Sequence, residues 1–193
     1  MLRPSRTVRA AFALPLILAF TAACGGGSGG TPTKAADPAG DALARGIAAQ
    51  TANKFDEATK DYFEVLSYDP KNKFAFYDLG QIARFQNRLQ IAEGYYRLAL
   101  EIDGNYPPAL FGLGLVRQNL GGVQDAIDLY RKAISFDANI AAAHYNLGIL
   151  LRVQGKIAEG DAEIARAIQL DPQLTPPPAA TPTPKPASPT PTR

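Results

Sequence analysis

The sequence predicts an all-α solenoid of four tandem helix-turn-helix repeats, flanked by terminal segments that do not join the fold. Three observations carry that prediction. Gly46, Gly80, Gly114 and Gly148 recur every 34 residues. Four further columns hold the same register: Ala58, Ala92, Ala126 and Gly160; Tyr62, Tyr96, Tyr130 and Ile164; Val65, Ala99, Ala133 and Ala167; Pro70, Gly104, Ala138 and Pro172. Between the columns the apolar residues follow helical rather than strand spacing. A fixed period of this length is the mark of stacked supersecondary units, each too small to bury its own apolar face.

Each unit divides into two helices. Phe76, Leu79, Ile82 and Ala83 follow one helical stripe, and Ile91, Tyr95, Leu98 and Ile102 follow another. Asp37-Pro38 offers a helix cap followed by proline at the first helical position, and Asn72 and Asn139 are further cap candidates. Asn53, Asn87, Gly121-Gly122 and Gly155 mark the turn inside each unit. The glycine at the eighth position and the alanine at the twentieth let two backbones approach, and the tyrosine at the twenty-fourth fills the space between them.

The ends read differently. Arg3, Arg6 and Arg9 precede an apolar stretch from Ala10 to Ala23, with no acidic residue before Cys24. A basic start, a short apolar run and small residues describe a secretory signal over 1–23. The run is short for a membrane span, and Pro15 interrupts it. Cys24 is the sole cysteine, so no internal disulfide is available. Gly25 to Gly30 follow as a flexible tether within a linker over 24–38. Residues 173–193 alternate Pro, Thr, Ala and Ser; such a composition cannot bury a core and favours extended polyproline II. About 135 residues remain for the fold, enough to bury roughly two thirds of the unfolded chain's surface.

Charge excludes one partner class. The chain carries +2 overall, but removal of the three N-terminal arginines leaves −1, and residues 39–172 hold 14 basic against 17 acidic side chains. No basic block is left to neutralise phosphates, so nucleic acid is not an expected partner. No catalytic constellation stands out and no cofactor is implied. His144, the only histidine, stands at position 4 of the fourth unit, and a packed histidine is the expectation there rather than a base or a ligand. Gly112-Leu113-Gly114 lies in a helix with no strand before it and is not a phosphate loop. Glu57, Asp61 and Glu64 share a helical face and read as solvated.

Two resemblances sharpen the expectation. Thr21-Ala22-Ala23-Cys24 resembles the lipobox of bacterial lipoproteins, although that family usually has leucine where Thr21 stands. It implies lipidation of Cys24 and an exported, membrane-anchored chain in the cell envelope, with simple secretion as the alternative. Leu79-Gly80…Ala92…Tyr96…Ala99, Leu113-Gly114…Ala126…Tyr130…Ala133 and Leu147-Gly148…Ala167…Pro172 resemble the tetratricopeptide repeat family. The first unit departs with Arg45 and Ala42, the fourth with Gly160 and Ile164.

The repeat resemblance implies a right-handed superhelical solenoid with units at 39–72, 73–106, 107–140 and 141–172. It also implies a concave surface built from the first helix of each unit, at positions 2, 5, 9, 12 and 13. Those positions are Phe74, Tyr77, Gln81, Arg84 and Phe85 in the second unit. The third supplies Pro108, Phe111, Leu115, Gln118 and Asn119, and the fourth Ala142, Tyr145, Ile149, Arg152 and Val153. Leu43, Ile47, Gln50 and Thr51 in the first unit look less distinctive. The Lys/Asn clamp by which some family members grip a terminal carboxylate is absent, with Asp78 and Gln81 in its place.

An aromatic groove with Arg84 and Arg152 suits an extended peptide or an amphipathic helix bearing a carboxylate. The function this implies is a protein-binding scaffold or adaptor. The alternative is an assembly or pilotin-like factor for a secretion, pilus or outer-membrane complex. An uncapped fourth repeat, with Leu150, Leu151, Ile157 and Ile168 left partly uncovered, would also invite self-association.

Overall fold

The computed structural model describes residues 37–175; the signal segment, Cys24, nearly all of the glycine-rich linker and the tail from residue 176 lie outside the described residues. Eight helices follow one another: α1 (Pro38–Thr51), α2 (Phe55–Tyr68), α3 (Lys73–Phe85), α4 (Leu89–Ile102), α5 (Pro107–Asn119), α6 (Val123–Phe136), α7 (Ala141–Val153) and α8 (Ile157–Leu170). The described residues contain no strand. Each odd-numbered helix packs on the even-numbered helix after it, and each pair packs on the next.

The helix boundaries follow from local chemistry. Asp37 caps α1 by accepting from the Gly40 amide at 3.0 Å, and Asn72 caps α3 by accepting from the Ala75 amide at 3.0 Å. Asn139 does not cap α7. Its amide donates to Asp137 Oδ1 at 3.0 Å, and Ile140 stands at the cap. Inside each pair, the left-handed turn falls on Asn53, Asn87, Gly121 and Gly155, with φ from +57° to +83°. Asparagine and glycine are the residues that reach this region at least cost. The next amide in each turn then donates back five residues: Lys54 to the Ala49 carbonyl, Arg88 to Ala83, Gly122 to Arg117 and Lys156 to Leu151.

Between pairs, an aspartate at 34-residue spacing repeats one turn four times. Asp69, Asp103, Asp137 and Asp171 each accept from the amide two residues on, at 3.0–3.2 Å. The fourth copy stands after α8, so the chain leaves the array in the turn that begins every other repeat.

The core is a row of small residues and tyrosine rings. Ala58, Ala92 and Ala126 are fully buried, as are Tyr62 and Tyr130, and Tyr96 almost so. A Cβ added to Gly46, Gly80 or Gly114 would stand 2.5–2.8 Å from the ring of Tyr62, Tyr96 or Tyr130 respectively. The glycine at the eighth position therefore makes room for the tyrosine at the twenty-fourth. Ala92→Leu or Ala126→Leu is expected to overpack this row and lower stability by roughly 1–3 kcal/mol. A thermal melt followed by circular dichroism reads it directly; an unshifted midpoint in both would show that the row has slack.

The structure decides which of two stripes of α4 faces inward, and it is the one that holds the repeat's alanine and tyrosine. Ile91, Leu98 and Ile102 are exposed, and Ala92, Tyr96 and Ala99 are buried in their stead. Two apolar stripes run along this helix one residue apart, and the one with small side chains wins because it permits the closer helix approach.

Leu150 and Leu151 are not left uncovered. Both are buried against Ala126, Ile127 and Tyr130 of the preceding pair. Of the proposed self-association face, Ile157 stays exposed and Ile168 partly so. Asp61 and Glu64 are also more than a solvated face, since both pair with Arg45 of α1, at 3.2 and 2.7 Å.

Candidate functional site

Successive odd-numbered helices sit close enough for α3 to touch α5 directly, so these helices form the inner side of the stack. The side chains that they turn away from the core fall into three groups.

The first group is open. Phe74 is 47% exposed and Phe85 60% exposed, both large apolar rings left in solvent. Arg84 lies between them in sequence, its guanidinium 4.6 Å from the Phe85 ring centre. Its Nε is buried and has no hydrogen-bond partner. An orphaned buried donor on a cation costs free energy until an acceptor arrives.

The second group is structural. Tyr77 lies edge-on to Tyr106 at 5.6 Å and tilts against Tyr96 at 6.0 Å. Phe111 tilts against Tyr130 at 5.7 Å, and Leu115 packs beside it on the third core cluster. Gln118 accepts from the Tyr130 hydroxyl at 2.8 Å, as Gln50 does from Tyr62 at 2.7 Å. Position 12 is therefore a partner for the buried tyrosine hydroxyl. In the second repeat that position is Arg84, whose charge acts on the Tyr96 hydroxyl. Burial pushes the Tyr96 hydroxyl up to about 12, although Arg84 works against the rise.

The third group is engaged elsewhere. Arg152 Nε stands 3.5 Å from Asp161 on α8, which corrects its reading as a free carboxylate ligand. The Tyr145 hydroxyl donates to the Thr175 carbonyl at 3.1 Å, and Ile149 is half-buried. Among the described residues, Arg84 is the inner-face cation without an ion pair.

Two features were not singled out from the sequence. Ile47, Gln50 and Thr51 of the first repeat line a cavity of about 340 Å³, together with Phe55, Tyr62, Asp78 and Phe85. Asp78 accepts from Gln81 Nε2 at 3.3 Å and lies beside the Tyr62 hydroxyl. That hydroxyl has one proton, directed to Gln50; rotation of the Gln50 amide would free it for Asp78.

Burial pushes the Asp78 carboxyl up from 3.8 to about 6, the hydrogen bond from Gln81 opposing it. Between those values the folded chain holds a proton that the unfolded chain releases, so stability falls as pH rises through this window. Asp78→Asn is therefore expected to stabilise the fold by roughly 1–2 kcal/mol at neutral pH, allowing for partial solvent contact. Near about pH 4 the gain should vanish. Urea titrations at the two pH values check it; a gain of equal size at both would place its cause outside ionisation.

His144 is buried, with Nδ1 2.6 Å from Glu163 and Nε2 3.2 Å from the Ala138 carbonyl. Both ring nitrogens are occupied by the fold. Among the described residues no group of acidic, histidine or cysteine side chains is arranged to hold a metal ion.

The tetratricopeptide repeat model matches residues 43–107 and 111–175, two thirds of the chain. The chain belongs to the tetratricopeptide repeat family. No curated protein matches it in sequence.

Solved structures share the fold. MamA aligns with a TM-score of 0.62 at 22% identity, over 69% of this chain and 78% of that one. PilF of Pseudomonas aeruginosa aligns at 0.65 and 20%, over 70% of this chain and 62% of that one. YrrB, described as a tetratricopeptide repeat protein with an unusual peptide-binding site, aligns at 0.58 and 22%, over 70% of each chain. At these identities the likeness is one of fold. Tetratricopeptide repeat proteins are generally non-enzymatic scaffolds for protein partners.

Proposed function

We propose that this chain is a lipid-anchored scaffold on the outer side of a bacterial membrane, and that it captures a protein partner through an extended peptide laid along the inner face. The observation that carries the groove is the exposed Phe74 and Phe85 on α3, with the unpartnered Nε of Arg84 next to Phe85. Aromatic anchors next to a buried cation give a peptide both contact area and one strong polar contact for a carboxylate. The described peptide-binding site of YrrB, on a like array, supports the same reading. The anchor rests on Cys24 and its flanking sequence.

The open group supplies the test. Phe74→Ala, Phe85→Ala and Arg84→Gln together remove the anchors while keeping a position-12 glutamine, the residue that serves Tyr62 and Tyr130. Tyr77 and Phe111 are poor choices, because their loss would damage packing. Pull-down from membranes should recover a partner with the native chain and at least about tenfold less with the triple variant. Equal recovery would sink the groove. Separately, Cys24→Ala should move the chain from the membrane to the soluble fraction; unchanged partitioning would remove the anchor.

An adaptor and an assembly factor differ in what is recovered. Enrichment of a soluble or wall protein fits the adaptor, and enrichment of a pore-forming complex fits the pilotin-like alternative.

A further inference from the structure

The groove as described leaves Asp78 without a task. Its carboxyl lies at the junction of the first two repeats, on a cavity of about 340 Å³, near the lower end of the roughly 300–1,000 Å³ typical of ligand sites. Phe55 and Phe85 line that cavity with rings stacked at 6.2 Å and 12°. The polar neighbours of Asp78 are Gln81 and Tyr62, both neutral. No ion pair among the described residues includes it. Arg84, on the same helix, acts on Tyr77, Tyr96 and Tyr130 and is not among the groups acting on Asp78. A half-buried carboxylate without a cation is a standing cost, which a cation entering the cavity would offset. Aromatic walls add a second attraction for the same ligand.

We propose that the cavity between the first and second repeats is a subsite for a cationic side chain, lysine or arginine, with Asp78 as its counter-ion and Phe55 and Phe85 as its walls. The inference rests on the groove reading, for it names one residue type of the peptide bound there. It differs from a clamp that grips a terminal carboxylate, because here the protein supplies the acid and the partner the base. Arg84, whose guanidinium stands 4.6 Å from the Phe85 ring centre, forms no ion pair with Asp78 and is left for an acidic group of the same peptide.

The probes are argininamide and its counterpart norleucinamide, both acetylated at the α-amino group so that only the former carries a charge. Titrated into the full-length chain with labelled aromatic residues, argininamide should shift the Phe55, Phe85 and Tyr62 ring signals saturably in the NMR spectrum. Norleucinamide should not. Asp78→Asn, shown folded by its melting curve, should weaken argininamide about tenfold. Absence of the shifts, equal binding of norleucinamide, or undiminished binding to Asp78→Asn would each overturn the subsite. The groove is tested apart from it, by partner capture with Phe74→Ala and Arg84→Gln alone. Loss of capture there without argininamide binding leaves the groove and removes the subsite; the reverse pattern removes the groove and leaves the subsite.

Discussion

Tyr96→Ala is expected to destabilise the array by about 3–5 kcal/mol, more than the same change at Tyr62 or Tyr130. All three rings are buried and all three press on a glycine of their own repeat. Tyr96 alone presses on a second one. A Cβ on Gly80 would meet its ring at 2.8 Å, and a Cβ on Gly112 of the following repeat would meet it at 2.6 Å. It also packs on Tyr77 and feels the charge of Arg84. Removing it therefore opens a cavity at the contact between the second and third repeats, where the stack depends on neighbours for its stability. A chain of this size should lose on the order of 10 °C in melting temperature. Urea unfolding should separate further, the two halves of the array no longer melting together. Equal losses at the three tyrosines would mean that the inter-repeat contact contributes little beyond each repeat's own packing.

The parts of this fold that were legible in the sequence are those where one residue type at one position settles the geometry. The left-handed turns at Asn53, Asn87, Gly121 and Gly155 and the Gly–Tyr contacts are of that kind. Asp69, Asp103, Asp137 and Asp171 share the same period and could have been found by the same search. The phase of α4 was harder, because Ile91–Tyr95–Leu98–Ile102 and Ala92–Tyr96–Ala99 are both helical stripes. Hydropathy favours the first, and the closeness of the neighbouring helices favours the second. The inner face was legible as a set of positions but not as a set of free side chains. Whether Arg152 is free depends on Asp161 of the following helix, and whether Asp78 is buried depends on Phe55 and Tyr62 of the repeat before it. Such dependencies cross helices, and the pattern within one repeat does not report them.

The fourth repeat shows what such dependencies do to a family pattern. Gly160 stands where the other repeats have alanine, and restoring alanine there is expected to cost roughly 2–4 kcal/mol. The opposite follows from helix propensity alone, which favours alanine over glycine by about 1 kcal/mol in a helix interior. Propensity loses because a Cβ on Gly160 would stand 2.6 Å from the Gly148 carbonyl oxygen and 3.1 Å from the Arg152 amide nitrogen, both backbone atoms of α7. The reciprocal Cβ on Gly148 would meet the Gly160 carbonyl oxygen at 2.7 Å. Backbone cannot swing aside as a side chain can. In the other repeats the eighth-position glycine faces a tyrosine ring, which holds the two helices apart; here Ile164 replaces the ring and the glycine pair lets α7 and α8 close up. The two departures from the family pattern thus form one compensated unit. Gly160→Ala should lower the melting temperature, and Gly160→Ala combined with Ile164→Tyr should recover part of the loss by restoring the wider spacing. A stabilised single variant would show that the helices have room to part, and that the close pairing contributes nothing.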